Sequence, residues 1–363
     1  MKTDKTGSKK RSELRWLAEY AAVRVLFFVA DLLPSKVIKA LSALLGRLLY
    51  ELVPKRRRIA LENLRYAFAG KSEGELKALA LESFRAFFLN FLEVIKQRRV
   101  LLAGDAAEKL ERNTAGVSAL FEKAREIHDK SGGCIFVTPH LGNWELLPYV
   151  SSIAGIQMVV VVRPMDNPYL ERLIYAKRSQ SGQLFIAKKN SLFALQKTLM
   201  QGKSVGLLPD QSTAKGVYVN YFGRPATATP VPAMLSTLYK RPIVVVACCR
   251  TKDANRFTGY VSDPIYPGEY KSEKAEILRL TRELTGEMER VVAMFPGQYL
   301  WMHNRWKRYG KENLWAKDAG QTTGPDKVDK DKVKEGDVKA GEVNKDEVKV
   351  SDVKADELKE DRR

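Results

Sequence analysis

Histidine and cysteine are scarce in this chain, three of each among 363 residues. With only His128, His140 and His303 to draw on, a histidine-rich metal centre is not expected. Cys134, Cys248 and Cys249 sit inside apolar runs, and the adjacent pair points to opposite faces of a strand. That pattern predicts neither a disulfide framework nor a thiolate cluster. A long apolar run is lacking as well. The uninterrupted core of the first apolar segment, Val25 to Ala30, is too short to cross a bilayer, and no small-residue cleavage site follows it. Negative charge is in the minority. Lysine and arginine number 62 against 43 aspartates and glutamates, a net charge of +19. An excess of that size implies an anionic partner: nucleic acid, an acidic lipid surface or a phosphorylated substrate.

Three regions are distinguished: residues 1–55, 56–315 and 316–363. The first is basic and helical. Its apolar segments, Trp16 to Leu33 and Val37 to Val53, carry Arg24, Lys39 and Arg47, and Lys55-Arg56-Arg57-Arg58 follows. Apolar faces with basic edges predict helices in a membrane interface, held by burial and by attraction to anionic lipid. A single tilted span near 16–33 and a helical cap packed on the core stand as alternatives. In the last region Val328, Val333, Val338, Val343, Val348, Val353 and Leu358 recur at every fifth position. Five residues advance a helix by about 500° and change face on a strand, so no apolar stripe forms either way. A disordered tail is predicted. From Pro325 onward it holds 11 basic and 13 acidic residues, so the positive charge belongs to the body of the protein.

Between these ends the pattern is α/β. Helices are predicted at 58–68, 72–96, 105–112 and 115–130, with a stripe of Phe84, Phe87, Phe88 and Phe91 at helical spacing in the second. Short apolar runs at 134–137, 157–162, 184–187, 204–208 and 243–249 alternate with helix-length segments. That alternation predicts a mainly parallel or mixed central sheet flanked by helices. Three of the runs end at residues with chemistry to offer: His140, Arg163 and Asp210. Ligands of open α/β sheets bind at the carboxyl ends of strands. In His140-Leu-Gly-Asn143-Trp-Glu145, Asn143 is a candidate helix N-cap. Glu145 lies five positions past His140, and across a strand–turn–helix corner its carboxylate can converge on the imidazole. A carboxylate there fixes the ring's tautomer and leaves the other nitrogen to take a proton from a hydroxyl. A guanidinium at Arg163 suits phosphate or carboxylate. Only residues 299–309 interleave aromatic with basic side chains, as nucleic-acid binding would require, and the spacing of Trp301 and Trp306 also fits packing.

Four ordered blocks then resemble those of the bacterial lipid A biosynthesis acyltransferases, the late lauroyl and myristoyl transferases of lipopolysaccharide. His140-Leu-Gly-Asn-Trp-Glu145 is similar to their His-x4-Asp/Glu motif. Arg163-Pro-Met-Asp-Asn167-Pro168 with Arg178 and Gly182, then Leu208-Pro-Asp210-Gln211 through Phe222-Gly-Arg224-Pro-Ala226, then Gln298-Tyr-Leu-Trp-Met-His303-Asn-Arg305-Trp-Lys307 match three more. The likeness spans roughly 15–310 and leaves out the pentad tail. It implies a glycerolipid-acyltransferase-like fold that moves an acyl chain from acyl carrier protein, or acyl-CoA, to a hydroxyl of a phosphorylated glycolipid acceptor. The place implied is the cytoplasmic face of the cell inner membrane, with its anionic surface as a further partner. It implies neither metal nor other cofactor, and no nucleic acid. By likeness His140 is the general base and Glu145 its orienting partner. Arg163, Asp210, Asn143, Arg178 and Arg224 are expected to bind substrate or order the site. Alternatives are another glycolipid or a lysophospholipid as acceptor, and, from another class, a non-enzymatic protein of membrane surfaces or nucleic acid.

Overall fold

A computed structural model describes residues 13–101, 108, 117–162, 165–175, 184–187, 191–214, 216–251 and 257–307. Arg163, Arg178, most of the 105–112 helix expected from sequence, and the tail lie outside the described residues.

Four helices open the chain: α1 (Glu13–Leu32), α2 (Ser35–Leu52), α3 (Pro54–Ala67) and α4 (Glu73–Leu101). Two of the helix starts have a clear local cause. Pro54 enters α3 in its first turn, where a missing N–H costs nothing. At α4 the Ser72 and Glu75 side chains cap each other's backbone N–H groups, at 3.3 and 2.9 Å, a reciprocal box that satisfies two orphan donors. α2 lies so close to α4 that a methyl on Gly46 would sit 2.6 Å from the Arg85 Cα. Tyr50 meets Phe84 edge-on at 5.4 Å, and Phe84 is buried. Of the phenylalanine stripe of α4, Phe84 is core and Phe87 packs against it, whereas Phe88 is half-buried and Phe91 exposed. No helix among the described residues is long and apolar enough to cross a membrane.

The sheet follows. Its strands are β1 (Ile135–Val137), β2 (Met158–Val162), β3 (Leu184–Ala187), β4 (Ser204–Leu207), β7 (Ile243–Arg250) and β8 (Phe257–Val261), in the order β3-β2-β4-β1-β7-β8. All neighbours run parallel except β8, which pairs antiparallel with β7. β5 (Val217–Tyr221) and β6 (Arg224–Ala228) form a separate hairpin. The connecting helices are α5 (Val117–Ser131), α6 (Leu147–Ile153), α7 (Pro168–Tyr175), α8 (Ser191–Met200), α9 (Val231–Tyr239) and α10 (Glu273–Met294).

Every residue of β7 is buried, as expected of a strand covered on both faces. Its side chains divide by the period of two. Ile243, Val245, Ala247 and Cys249 join a core with α3, α4, α9 and α10. Val244, Val246 and Cys248 join a second core with α5 and α6. Both layers bury the cysteines, and burial pushes the Cys134 and Cys248 thiols up to about 12, which leaves them inert as nucleophiles.

Candidate active site

The site follows from strand register. β1 and β4 are parallel neighbours with Val137 opposite Leu207. The residues three positions beyond each, His140 and Asp210, therefore leave the sheet side by side at its carboxyl rim. The Thr138 N–H donates to the Leu207 carbonyl at 3.0 Å and holds the rim together. Asp210 then grips His140 twice. Its Oδ2 accepts from the His140 backbone N–H at 2.9 Å and its Oδ1 from the ring Nδ1 at 2.7 Å. An ionised carboxylate only accepts, so the proton sits on Nδ1 and Nε2 keeps its lone pair. Burial disfavours the imidazolium, but the Asp210 charge and hydrogen bond, joined by the charge of Glu145, outweigh it and raise His140 above its usual value. Burial would likewise push the Asp210 carboxyl up. His140, with a smaller part from Arg305, instead brings it down.

This corrects the role given to Glu145. The orienting hydrogen bond on the imidazole belongs to Asp210, and Glu145 acts on the ring through its charge. The cause is local. Trp144–Leu146 forms a 3₁₀ turn directly after the His140 corner, while Asp210 lies within 3 Å of the ring by strand pairing. Trp144 meets the His140 ring edge-on at 5.2 Å.

His140 and Glu145 stand at a cavity of about 370 Å³, within the range of small-ligand sites. Phe136, Met158, Val160 and Val246 line it from the sheet, and Leu147 and Pro148 from α6. Gly206 lies on its floor. Gly206 is in register with both Phe136 and Val160 on this face. A Cβ there would meet Met158 Sδ at 2.9 Å and Val160 Cγ2 at 3.3 Å. Gln211, quoted in the sequence motif without a role, also lines the cavity and brings its amide within 3.5 Å of His140 Nε2. Its place directly after Asp210 in the post-strand turn was the available signal.

Below the rim a buried polar scaffold fixes the turn. Gly142 has φ +59°, and a methyl there would overlap the Cys248 carbonyl, so only glycine serves. The Gly142 carbonyl accepts from Asn90 Nδ2 at 2.5 Å, and Asn90 Oδ1 accepts from Arg250 Nη2 at 2.7 Å. Arg250 pairs with Glu93, and Glu93 accepts from Asn143 Nδ2 at 3.1 Å. Asn143 is fully buried, and its side chain caps no helix. The expected N-cap is therefore corrected: the side chain anchors the turn instead, because α4 supplies a carboxylate underneath it.

The closing block, 298–307, also proves architectural. Leu300 N–H donates to the His140 carbonyl at 3.0 Å, and Gly142 N–H to the Gln298 carbonyl at 3.2 Å. The Gln298 amide takes both backbone groups of Arg250, at 2.8 and 2.9 Å. Asn63 of α3 donates to the Trp301 and His303 carbonyls. His303 Nε2 accepts from the Ser212 N–H at 3.2 Å, and burial lowers its proton affinity. Trp301 and Trp306 are buried, which accounts for the interleaved aromatics by packing. Arg224 does not line the cavity. It stacks on Tyr66 of α3, its guanidinium carbon 3.7 Å from the ring centre, a contact that ties the β5–β6 hairpin to α3. Asn167, from the block that includes Arg163, opens α7 by accepting from Tyr169 N–H at 3.0 Å, and it donates to the Trp16 carbonyl of α1 at 2.9 Å. Among the described residues no group of three His, Cys, Asp or Glu side chains comes together as a metal site.

The family model for bacterial lipid A biosynthesis acyltransferases matches residues 5–308. Similar proteins include the lipid A biosynthesis lauroyltransferase of Escherichia coli (strain K12), 25% identical over 298 residues, covering 80% of this chain and 92% of that one. The palmitoleoyltransferase of the same organism is 23% identical over 280 residues, 76% of this chain and 86% of its own. The myristoyltransferase is 23% identical over 277 residues, 75% and 81% respectively.

Proposed function

Because this chain belongs to the bacterial lipid A biosynthesis acyltransferase family, we propose that it carries a fatty acyl chain from a thioester donor, acyl carrier protein or acyl-CoA, to a hydroxyl of a lipid A precursor. The observation that carries the reading is His140, its Nδ1 fixed by Asp210 at 2.7 Å, at an apolar cavity of about 370 Å³. His140 Nε2 takes the proton of the acceptor hydroxyl as the oxygen attacks the thioester carbonyl carbon. The carbonyl π pair moves onto oxygen, where the Gln211 amide stands near enough to donate. Collapse of the tetrahedral intermediate breaks the C–S bond. The thiolate leaves with the proton that His140 holds. Asp210 keeps the ring in one tautomer and stabilises the transient imidazolium. None of these steps calls on a metal or other cofactor. Arg163 and Arg178 are proposed to receive acceptor phosphate.

Membrane association belongs to the same proposal. Val25, Phe28, Leu32, Leu44 and Leu52 of α1 and α2 are exposed, and Lys55, Arg56 and Arg58 follow directly. Apolar side chains flanked by exposed cations suit an anionic bilayer surface, here the cytoplasmic face of the inner membrane. The net charge of +19 also complements an acidic carrier protein.

Incubating purified protein with an acylated carrier and a lipid A precursor is expected to add the mass of one acyl group to that precursor. A mass spectrum unchanged after many turnover times sinks the proposal, and acylation of a different glycolipid or of a lysophospholipid would reassign the acceptor. Gly206→Val should shorten the chain transferred, because the new side chain occupies the floor of the cavity. Against a donor two carbons shorter, the longest accepted donor should lose on the order of tenfold or more in kcat/KM, read from product masses in a mixed-donor competition. An unchanged product spectrum would place the acyl chain elsewhere.

A further inference from the structure

The hydrogen bonds from Ser212 N–H to His303 Nε2 at 3.2 Å and from Arg305 N–H to the His303 carbonyl at 2.9 Å seat Arg305 beside the turn that follows Asp210, and acyl transfer as described gives its guanidinium no task. Arg305 is 2% exposed. Its Nη1 donates to the Thr227 carbonyl at 2.5 Å, and its guanidinium carbon lies 4.9 Å from the Tyr221 ring centre. Nε and Nη2 find no acceptor among the described residues. A buried arginine is ordinarily spent on a carboxylate that it binds directly. This one reaches Asp210 only through its field. The other groups around the pair are Glu145 on the cavity side, His303 and Tyr299 from the closing block, and Tyr221 from β5. Arg56 of α3 bears on His303, and Glu289 of α10 on Tyr221.

We propose that Arg305 is the standing counter-charge of Asp210, a positioning residue that holds the His140–Asp210 pair as carboxylate plus neutral imidazole. The inference rests on His140 acting as base. A base must begin neutral, and Asp210 is then a buried anion with no cation at hydrogen-bonding distance, an expensive state. Arg305 supplies the compensating charge through space. Because it makes no hydrogen bond to Asp210, both carboxylate oxygens stay committed to the ring and backbone of His140. When His140 has taken the hydroxyl proton, two cations share one anion, which favours delivery of that proton to the departing thiolate. Removing the guanidinium takes a positive charge away from a pair whose active form bears a net negative charge. The protonated pair gains, so the pair's proton release moves to higher pH.

The test measures kcat/KM against pH for the full chain with an acylated carrier and a lipid A precursor. Arg305→Gln keeps a donor for the Thr227 carbonyl but no charge, and Arg305→Lys keeps the charge. The glutamine variant is expected to shift the acid limb upward by about one pH unit, roughly tenfold in rate on that limb; the lysine variant leaves the limb in place. A glutamine variant with its limb unmoved, or the two variants shifted alike, overturns the proposal and makes Arg305 a packing residue. Should the glutamine variant not fold, the ¹⁵N titration of His140 in the unmodified protein decides. An Nε2 still unprotonated at the pH of maximal kcat/KM supports compensation, and an Nε2 protonated there overturns it. Failure of the underlying reading looks different: His140→Ala would then remain active whatever Arg305 does.

Discussion

His140→Ala is expected to lower kcat for acyl transfer by about 10³-fold, roughly 4 kcal/mol of transition-state stabilisation, with binding to anionic vesicles unchanged. The reasoning is chemical. An alcohol holds its proton tightly at neutral pH and is a poor nucleophile toward a thioester until something accepts that proton. Nε2 is the ring nitrogen left with a lone pair once Asp210 has taken the Nδ1 proton into a 2.7 Å hydrogen bond. Residual activity should survive, since the cavity still aligns the acyl chain and Gln211 can still polarise the carbonyl. The exposed apolar residues of α1 and α2 lie on other elements, so vesicle flotation should be indifferent to the substitution. Near-normal kcat in a folded alanine variant would remove the histidine from the mechanism.

Asp210→Asn should cost nearly as much, on the order of 10²- to 10⁴-fold in kcat, with a small change in KM. The amide is close to isosteric, so the turn persists, but its NH2 can donate where the carboxylate only accepted. The ring then turns Nε2–H toward substrate and loses its basic face. The matched change Glu145→Gln should cost less, because Glu145 contributes charge to the ring while Asp210 holds it by hydrogen bonds. Side-by-side turnover numbers for the two variants settle the order, and a glutamine variant slower than the asparagine variant would return the orienting role to Glu145.

That reversal of roles shows what sequence spacing could and could not convey. His140 and Glu145 are five residues apart, so their proximity is legible along the chain. His140 and Asp210 are 70 residues apart and meet because β4 is inserted beside β1, ahead of β2 in the sheet order. Strand alternation predicts parallel strands without saying which two are neighbours. Strand and helix identities were legible because period and length speak for themselves: β3 begins and ends at its expected residues. Asn143 and Arg224 have the chemistry of ligand-binding residues, and nothing local reveals that Glu93 lies under the one and Tyr66 under the other. Gly206 carried no signal at all, since nothing along the chain shows which residue lies on a cavity floor.

The hydrogen bonds that join Leu300 to His140, and Gln298 to Gly142 and Arg250, have a consequence for biogenesis. The last described segment of the chain braces the corner that carries the reactive imidazole. On the ribosome, β1 and β4 emerge long before that brace, and so do the helices with exposed apolar side chains. The reactive corner of a nascent chain is therefore still unbraced after those helices have emerged. Competence arrives only when synthesis has passed residue 300, the kind of late, long-range closure that makes high-contact-order proteins slow to mature.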